Sequence, residues 1–319
     1  MADAGGVGVG LRWRRRLRRA MFLGARSFLR AVGFARAGAA GRVLGELQYR
    51  LGGPGRRRMQ ADMARTLGRP PGDRAVAAML RDAYRVNTAA VFEIMAMVDR
   101  RQNAATLVAR AEVEGLEHLR EALAAGRGAI LMAAHMGNAA LVPLCLAHAG
   151  WAVSVLYKES RMMSADFFRA GLERYGIQGI AANAGLRAYG EMLSALKQGR
   201  IVFLMLDQGV KHPKDGQVHR FLGKDMPMPG GPAQLARHAR APILPVATEG
   251  ATPRWRFRVL PPVLRAEGST VQEDAAVLFR IMEQQILRHP DCWSWHHRRW
   301  RRFALATHEP VRLDPSTLE

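Results

Sequence analysis

Residues 128–157 contain no Asp, Glu, Lys or Arg, and this run of thirty uncharged residues constrains the fold more than any other feature. It is long enough for a membrane-spanning helix. Gly137, Asn138, Pro143 and two histidines interrupt it, however, and its pattern changes midway. Residues 129–134 read as a buried strand, 138–149 as a helix and 152–157 as a second strand. That order defines a βαβ unit, which requires a parallel sheet covered on both faces.

The alternation continues downstream. Residues 164–175 and 186–196 are helical in pattern, 201–206 is an apolar strand and 231–240 a helix. Two strands at 243–248 and 255–260 precede a long helix at 272–288. The expectation is an α/β fold with a mixed, mostly parallel sheet flanked by helices. The first 125 residues are mainly helical. Helix breaks are expected at Gly52-Gly53-Pro54-Gly55 and at Arg69-Pro70-Pro71-Gly72-Asp73. A helix over 74–98 has a broad apolar face through Ala78, Ala83, Val86 and Ala90, and a short strand-like piece precedes Gly115 and a helix to residue 125. We expect residues 1–60 to be a basic helical segment and 61–319 to be the α/β domain.

Charge distribution narrows the setting. Of the net +21, thirteen charges fall in residues 11–58, which hold fourteen arginines and one acid, Glu46. Such a surface calls for an anionic partner: lipid headgroups, nucleic acid or an acidic carrier protein. Arg26, Arg30, Arg36 and Arg42 recur too often for a spanning helix or a secretory signal. Residues 15–32 instead read as an amphipathic helix. Arg15, Arg19, Arg26 and Arg30 lie on one face; Leu17, Met21, Phe28 and Val32 lie on the other, widened by Phe22 and Leu29. It is expected to lie in the headgroup plane of an anionic membrane, the alternative being packing on the protein's own core. The two cysteines, Cys145 and Cys292, are distant in sequence and suggest neither a disulfide scaffold nor a zinc site, so a reducing compartment is the simpler reading.

Four segments could carry chemistry. Ala134-His135-Met136-Gly137-Asn138 follows a buried strand, where ligands of open α/β sheets bind. His135 is either a general base or a hydrogen-bonded structural residue. Gly137 lets backbone approach a ligand, and Asn138 can cap the next helix. Asp207-Gln208 follows the next apolar strand and suits either orienting an imidazole or capping a turn. Phe221-Leu222-Gly223 is a turn ahead of Gly230-Gly231-Pro232, a helix entrance whose free N–H groups can hold an anion. Finally, residues 293–302 interleave three tryptophans with four arginines, an anion-binding surface with aromatic anchors. No helix-turn-helix, RNA-recognition or zinc-finger pattern accompanies the charge, so a nucleic-acid partner rests on charge alone.

In this order and spacing the four segments resemble the bacterial lipid A biosynthesis (lauroyl/myristoyl) acyltransferase family, related to phosphatidylinositol mannoside acyltransferases. The matching residues are His135-Met136-Gly137-Asn138, Asp207-Gln208, Phe221-Leu222-Gly223 with Gly231-Pro232, and Pro290-Asp291 through Trp295-His296-His297-Arg298-Arg299. The resemblance spans roughly residues 40–302 and implies a glycerolipid-acyltransferase-like fold. It implies transfer of a fatty acyl chain from an acyl carrier protein or CoA thioester to a glycolipid hydroxyl, at the cytoplasmic face of a bacterial inner membrane. No metal or other cofactor is implied. His135 would be the base and backbone N–H groups the oxyanion donors. Asp207 and Gln208 would support the site, with Gly137, Asn138, Trp295, Arg298 and Arg299 contributing to substrate binding.

The chain departs from the family at one position. In the family four residues separate the histidine from an acid, and here Ala140 stands in that acid's place. Either another carboxylate, such as Asp207 or Glu159, serves His135, or the chain is a silent homologue that binds glycolipid or acyl carrier without turnover.

Overall fold

A computed structural model describes residues 5–158, 166–210, 213–250, 254–296 and 308–318. Four helices come first: α1 (Gly5–Val32), α2 (Phe34–Leu51), α3 (Gly53–Thr66) and α4 (Arg74–Asp99). α4 starts where its sequence provides a cap, the Asp73 carboxylate accepting from the N–H groups of Ala75 and Val76. Only Gly52 separates α2 from α3, because the Gly53-Pro54-Gly55 expected in the turn forms the first turn of α3, with proline where its missing N–H is harmless. α2 lies unusually close along α4. A Cβ on Gly41 would stand 2.5 Å from Ala89 Cα, and one on Gly45 would stand 2.4 Å from the Tyr84 carbonyl oxygen.

The remaining elements alternate: α5 (Ala104–Val108), β1 (Ala111–Glu114), α6 (Leu116–Ala124), β2 (Ala129–Ala133), α7 (Leu141–His148), β3 (Val153–Tyr157), α8 (Phe167–Glu173), β4 (Gln178–Ala181), α9 (Leu186–Lys197) and β5 (Ile201–Met205). A hairpin of β6 (Gln217–Phe221) and β7 (Lys224–Met228) follows. The described elements end with α10 (Gly231–Ala239), β8 (Ile243–Gly250), β9 (Trp255–Val259), α11 (Val271–Arg288) and a closing 3₁₀ turn at Pro315–Leu318. α11 opens with a reciprocal capping box between Thr270 and Glu273.

Seven strands form one sheet in the order β1-β9-β8-β2-β5-β3-β4; β8 and β9 run antiparallel and every other pair is parallel. The mixed, mostly parallel α/β architecture is thus as expected. β2 is buried along its whole length, as a central strand between helical layers must be. Its register against β5 positions the site: Ala129 pairs with Ile201 and Ala133 with Met205. The two strands end side by side, so the residues two positions beyond, His135 and Asp207, emerge together.

Two expectations about the N-terminal region change. Residue 60 is no break in packing, since the hydrophobic core runs from Phe22 and Leu29 through Met59 and Met63 into the sheet. The inner side of α1 is also a protein contact: Phe22 packs edge-to-face on Phe167, ring centroids 5.4 Å apart, and Arg26 and Arg30 both bind Asp99. Burial raises the Asp99 pKa, but the hydrogen bonds from Arg30 and Arg26 overcome this and hold it below its ordinary value. Phe22, Arg26 and Arg30 therefore hold the helix to the protein, and the outward apolar residues are Leu17, Met21, Leu23 and Phe28, with Arg19 exposed. The Arg15 side chain lies outside the described set. Among the described residues, no helix is long and apolar enough to cross a membrane.

Candidate active site

His135 and Asp207 meet at the carboxyl ends of β2 and β5. The Nδ1 of His135 lies 2.6 Å from Asp207 Oδ1, and the His135 backbone N–H donates to the same oxygen at 3.0 Å. The other carboxylate oxygen accepts the indole N–H of Trp293 at 2.7 Å. With donors fixed on both oxygens, the network assigns the imidazole proton to Nδ1 and leaves Nε2 with the lone pair. The Asp207 side chain is fully buried while that of His135 is 38% exposed, so a carboxylate shielded from water holds an imidazole that is open to the surface. The Gln208 amide nitrogen lies 3.2 Å from Nε2 and 3.4 Å from Nδ1. Near-equal distances to both ring nitrogens place it over the imidazole rather than along one lone pair.

The turn after His135 is tightly built. Met136 forms an isolated antiparallel bridge with Trp293, and the Gly137 N–H donates to the Cys292 carbonyl at 3.0 Å. Gly137 has φ +49°, and a Cβ there would stand 2.0 Å from the Trp255 ring, so only glycine fits. Asn138, expected to cap the helix or touch substrate, does neither. It is fully buried and donates its side-chain amide to Glu93 Oε2 at 2.9 Å. α7 starts at Leu141, and its N-cap position is held by Ala140, which provides no side-chain cap.

The remaining segments are only partly brought to the site. Trp295, expected at the surface, is fully buried, its N–H on the Pro290 carbonyl and its ring edge-to-face with Trp293 at 4.9 Å. It supports Trp293 and is not a substrate contact. Phe221-Leu222-Gly223 makes the β6–β7 turn, with Leu222 and Gly223 both at positive φ. Gly223 packs on the Glu309 carbonyl and Leu222 donates its N–H to Glu283, so this turn supports the C-terminal segment. Gly230, before the Gly231-Pro232 entrance of α10, faces Val271 and Gln217. Arg298, Arg299 and Glu159 lie outside the described residues. Burial pushes the Cys145 thiol up to about 11 and Cys292 up to about 12, leaving both protonated and poor nucleophiles near neutral pH. No group of three or more metal-ligating side chains occurs among the described residues.

Sequence reading missed Glu93, and it placed Trp293 on a basic surface rather than buried against Asp207. Glu93 carries a detectable signal: it lies three residues after Ala90 and seven after Val86, an acid on the face of α4 that otherwise reads as apolar.

A buried carboxylate fixes a half-exposed imidazole at the carboxyl edge of a mostly parallel sheet, an arrangement suited to general-base chemistry. Residues 12–302 match the bacterial lipid A biosynthesis acyltransferase family, and the chain is a member of that family, an acyltransferase. A phosphatidylinositol mannoside acyltransferase of Mycobacterium tuberculosis (strain ATCC 25618 / H37Rv) is 28% identical over 79% of this chain and 78% of its own length. One from Mycolicibacterium smegmatis is 27% identical over 79% of this chain and 81% of its own length. Among solved structures, a 1-acyl-sn-glycerophosphate acyltransferase from Thermotoga maritima covers 85% of this chain at 17% identity and a TM-score of 0.38.

Proposed function

We propose that this acyltransferase moves a fatty acyl group from an acyl carrier protein or CoA thioester to a hydroxyl of a membrane glycolipid, such as a phosphatidylinositol mannoside or a lipid A precursor. The observation that carries this is the 2.6 Å contact of His135 Nδ1 with Asp207, a carboxylate already anchored by Trp293. His135 Nε2 takes the proton of the acceptor hydroxyl as its oxygen attacks the thioester carbonyl. The tetrahedral adduct collapses by breaking the C–S bond, and the imidazolium returns its proton to the departing thiolate. Asp207 holds the ring in the tautomer that starts this sequence and stabilises the imidazolium formed during it. It thereby fills the role that the resemblance assigns to an acid at position 140. The exposed Leu17, Met21, Leu23 and Phe28, with neighbouring arginines, support peripheral attachment to the anionic cytoplasmic face of the inner membrane.

Acyl transfer from palmitoyl-CoA and palmitoyl-acyl carrier protein to each acceptor in mixed micelles tests the reading. Transfer that disappears in His135→Ala is the expected result. The absence of turnover with every donor and acceptor, with glycolipid binding intact, would replace it with the silent binding protein that Ala140 suggests.

A further inference from the structure

Glu93 lies on α4, far in sequence from both strands of the site, and is 6% exposed. Its Oε2 accepts two hydrogen bonds, from Asn138 Nδ2 at 2.9 Å and from the indole Nε1 of Trp255 at 3.4 Å. Asn138 belongs to the turn that carries His135, and Trp255, the first residue of β9, packs against that turn. Asn138 is three residues beyond the histidine, and the Trp255 ring is the surface against which Gly137 is pressed. α2 also makes room for the carboxylate, since a Cβ on Gly38 would stand 2.5 Å from Glu93 Oε1.

A carboxylate is a costly group to bury, and an apolar side chain at this helical position would face the same core without that penalty. The hydrogen bonds show what the acid supplies: one oxygen ties two groups that together clamp residues 137 and 138. The clamp is distinct from the dyad. Asp207 and Trp293 hold the imidazole and the Met136 backbone, while Glu93 holds the turn immediately after them. A sub-ångström shift of that turn would move the His135 ring relative to its carboxylate, and catalytic geometry is sensitive on that scale.

We propose that Glu93 is a positioning residue for acyl transfer, acting through Asn138 and Trp255 to fix the Gly137 turn that carries His135 over Asp207. This rests on the reading of His135 as the base.

The test compares Glu93→Gln, Glu93→Leu and the exchange Glu93→Gln with Asn138→Asp in the full chain. Each is read for kcat, KM, melting temperature and the ¹⁵N shifts of the His135 ring. Glutamine retains a carbonyl acceptor for both donors, so Glu93→Gln is expected to keep kcat within about threefold. Glu93→Leu is expected to lower kcat about 30- to 100-fold with KM within threefold, and to replace the single Nδ1–H tautomer by a mixture. In the exchanged pair the donor and acceptor trade places, and kcat is expected to recover at least tenfold over Glu93→Leu. Full kcat in folded Glu93→Leu, with only its melting temperature lowered, overturns the proposal. So does a loss in Glu93→Gln as deep as in Glu93→Leu. If the unaltered chain turns nothing over, the base reading fails, while the tautomer measurement still decides whether Glu93 positions the ring.

Discussion

Trp293 and His135 divide the Asp207 carboxylate between them: the indole donates to Oδ2 at 2.7 Å, while His135 approaches Oδ1 with both its backbone N–H and Nδ1. Trp293 also bridges the Met136 backbone, so one buried tryptophan holds both partners of the dyad. Trp293→Phe keeps the aromatic volume and removes one donor. Hydrogen bonds to charged groups are worth roughly 1.5–3 kcal/mol, so kcat is expected to fall about 10- to 150-fold. Steady-state kinetics check this, and an unchanged kcat would show that Asp207 is held adequately by His135 alone.

Asp207→Asn should be more severe. The backbone N–H of His135 and the indole of Trp293 both require acceptors, and an amide offers only one oxygen. The His135 Nδ1–H then loses its partner or the ring changes tautomer. A kcat loss on the order of 10²–10⁴ is expected, by analogy with other His–carboxylate pairs. Because the pair acts as a unit, adding His135→Ala to Asp207→Asn should lower kcat no further than His135→Ala alone. A fully additive double variant would show the two residues acting separately.

The strands that carry these residues are legible in sequence because both lie in the sheet centre, where burial on two faces leaves apolar runs such as Ile201–Met205. The hairpin of β6 and β7 is not. It is a two-stranded ribbon whose β6 is mostly exposed and polar and whose buried β7 carries Lys224, Asp225 and Pro227, and so lacks both the apolar run and the propensity signal. Trp293 and Trp295 mislead for a related reason. Four arginines follow within residues 298–302, and one-dimensional proximity suggests a shared surface, although the fold takes both indoles into the core. Glu93 reads as a blemish on an apolar helix face until its partners from β9 and the His135 turn are seen.

The stability of the chain should fall as pH drops from about 6.5 to about 4. Burial, followed by the nearby Lys224 and Arg65 charges, pushes His308 down to about 4, so it is neutral when folded and protonates only after unfolding in that interval. The unfolded state binds more protons there, so its stabilising contribution is complete above pH 6.5 and is lost progressively down to pH 4. Glu283, raised by burial, works in the opposite sense, losing stability as pH rises above the ordinary carboxylate range. Glu46 adds a further loss between 4.5 and about 2, because the Arg81 hydrogen bond holds it low. Urea midpoints at closely spaced pH values should show a flatter curve between 6.5 and 4 in His308→Gln than in the unaltered chain. Equal slopes would rule out His308 as their source.

The two faces of α1 should separate stability from membrane binding. Phe22 packs on Phe167 beside the Asp99–arginine cluster, so Phe22→Ala is expected to destabilise the fold by about 3 kcal/mol. Met21 and Phe28 are 64% and 48% exposed, and replacing both with serine should change stability by no more than about 0.5 kcal/mol. If this face enters the acyl boundary, each side chain contributes roughly 1.5–3 kcal/mol of transfer energy, and their joint loss weakens binding to anionic vesicles by on the order of 10²-fold or more. Sedimentation with phosphatidylglycerol vesicles, alongside thermal melting, reads both effects in the same proteins. Added salt should weaken the association further, because the arginines act through screened charge. Vesicle binding undiminished by the double serine variant would remove α1 from the membrane contact and leave the basic surface elsewhere to carry it.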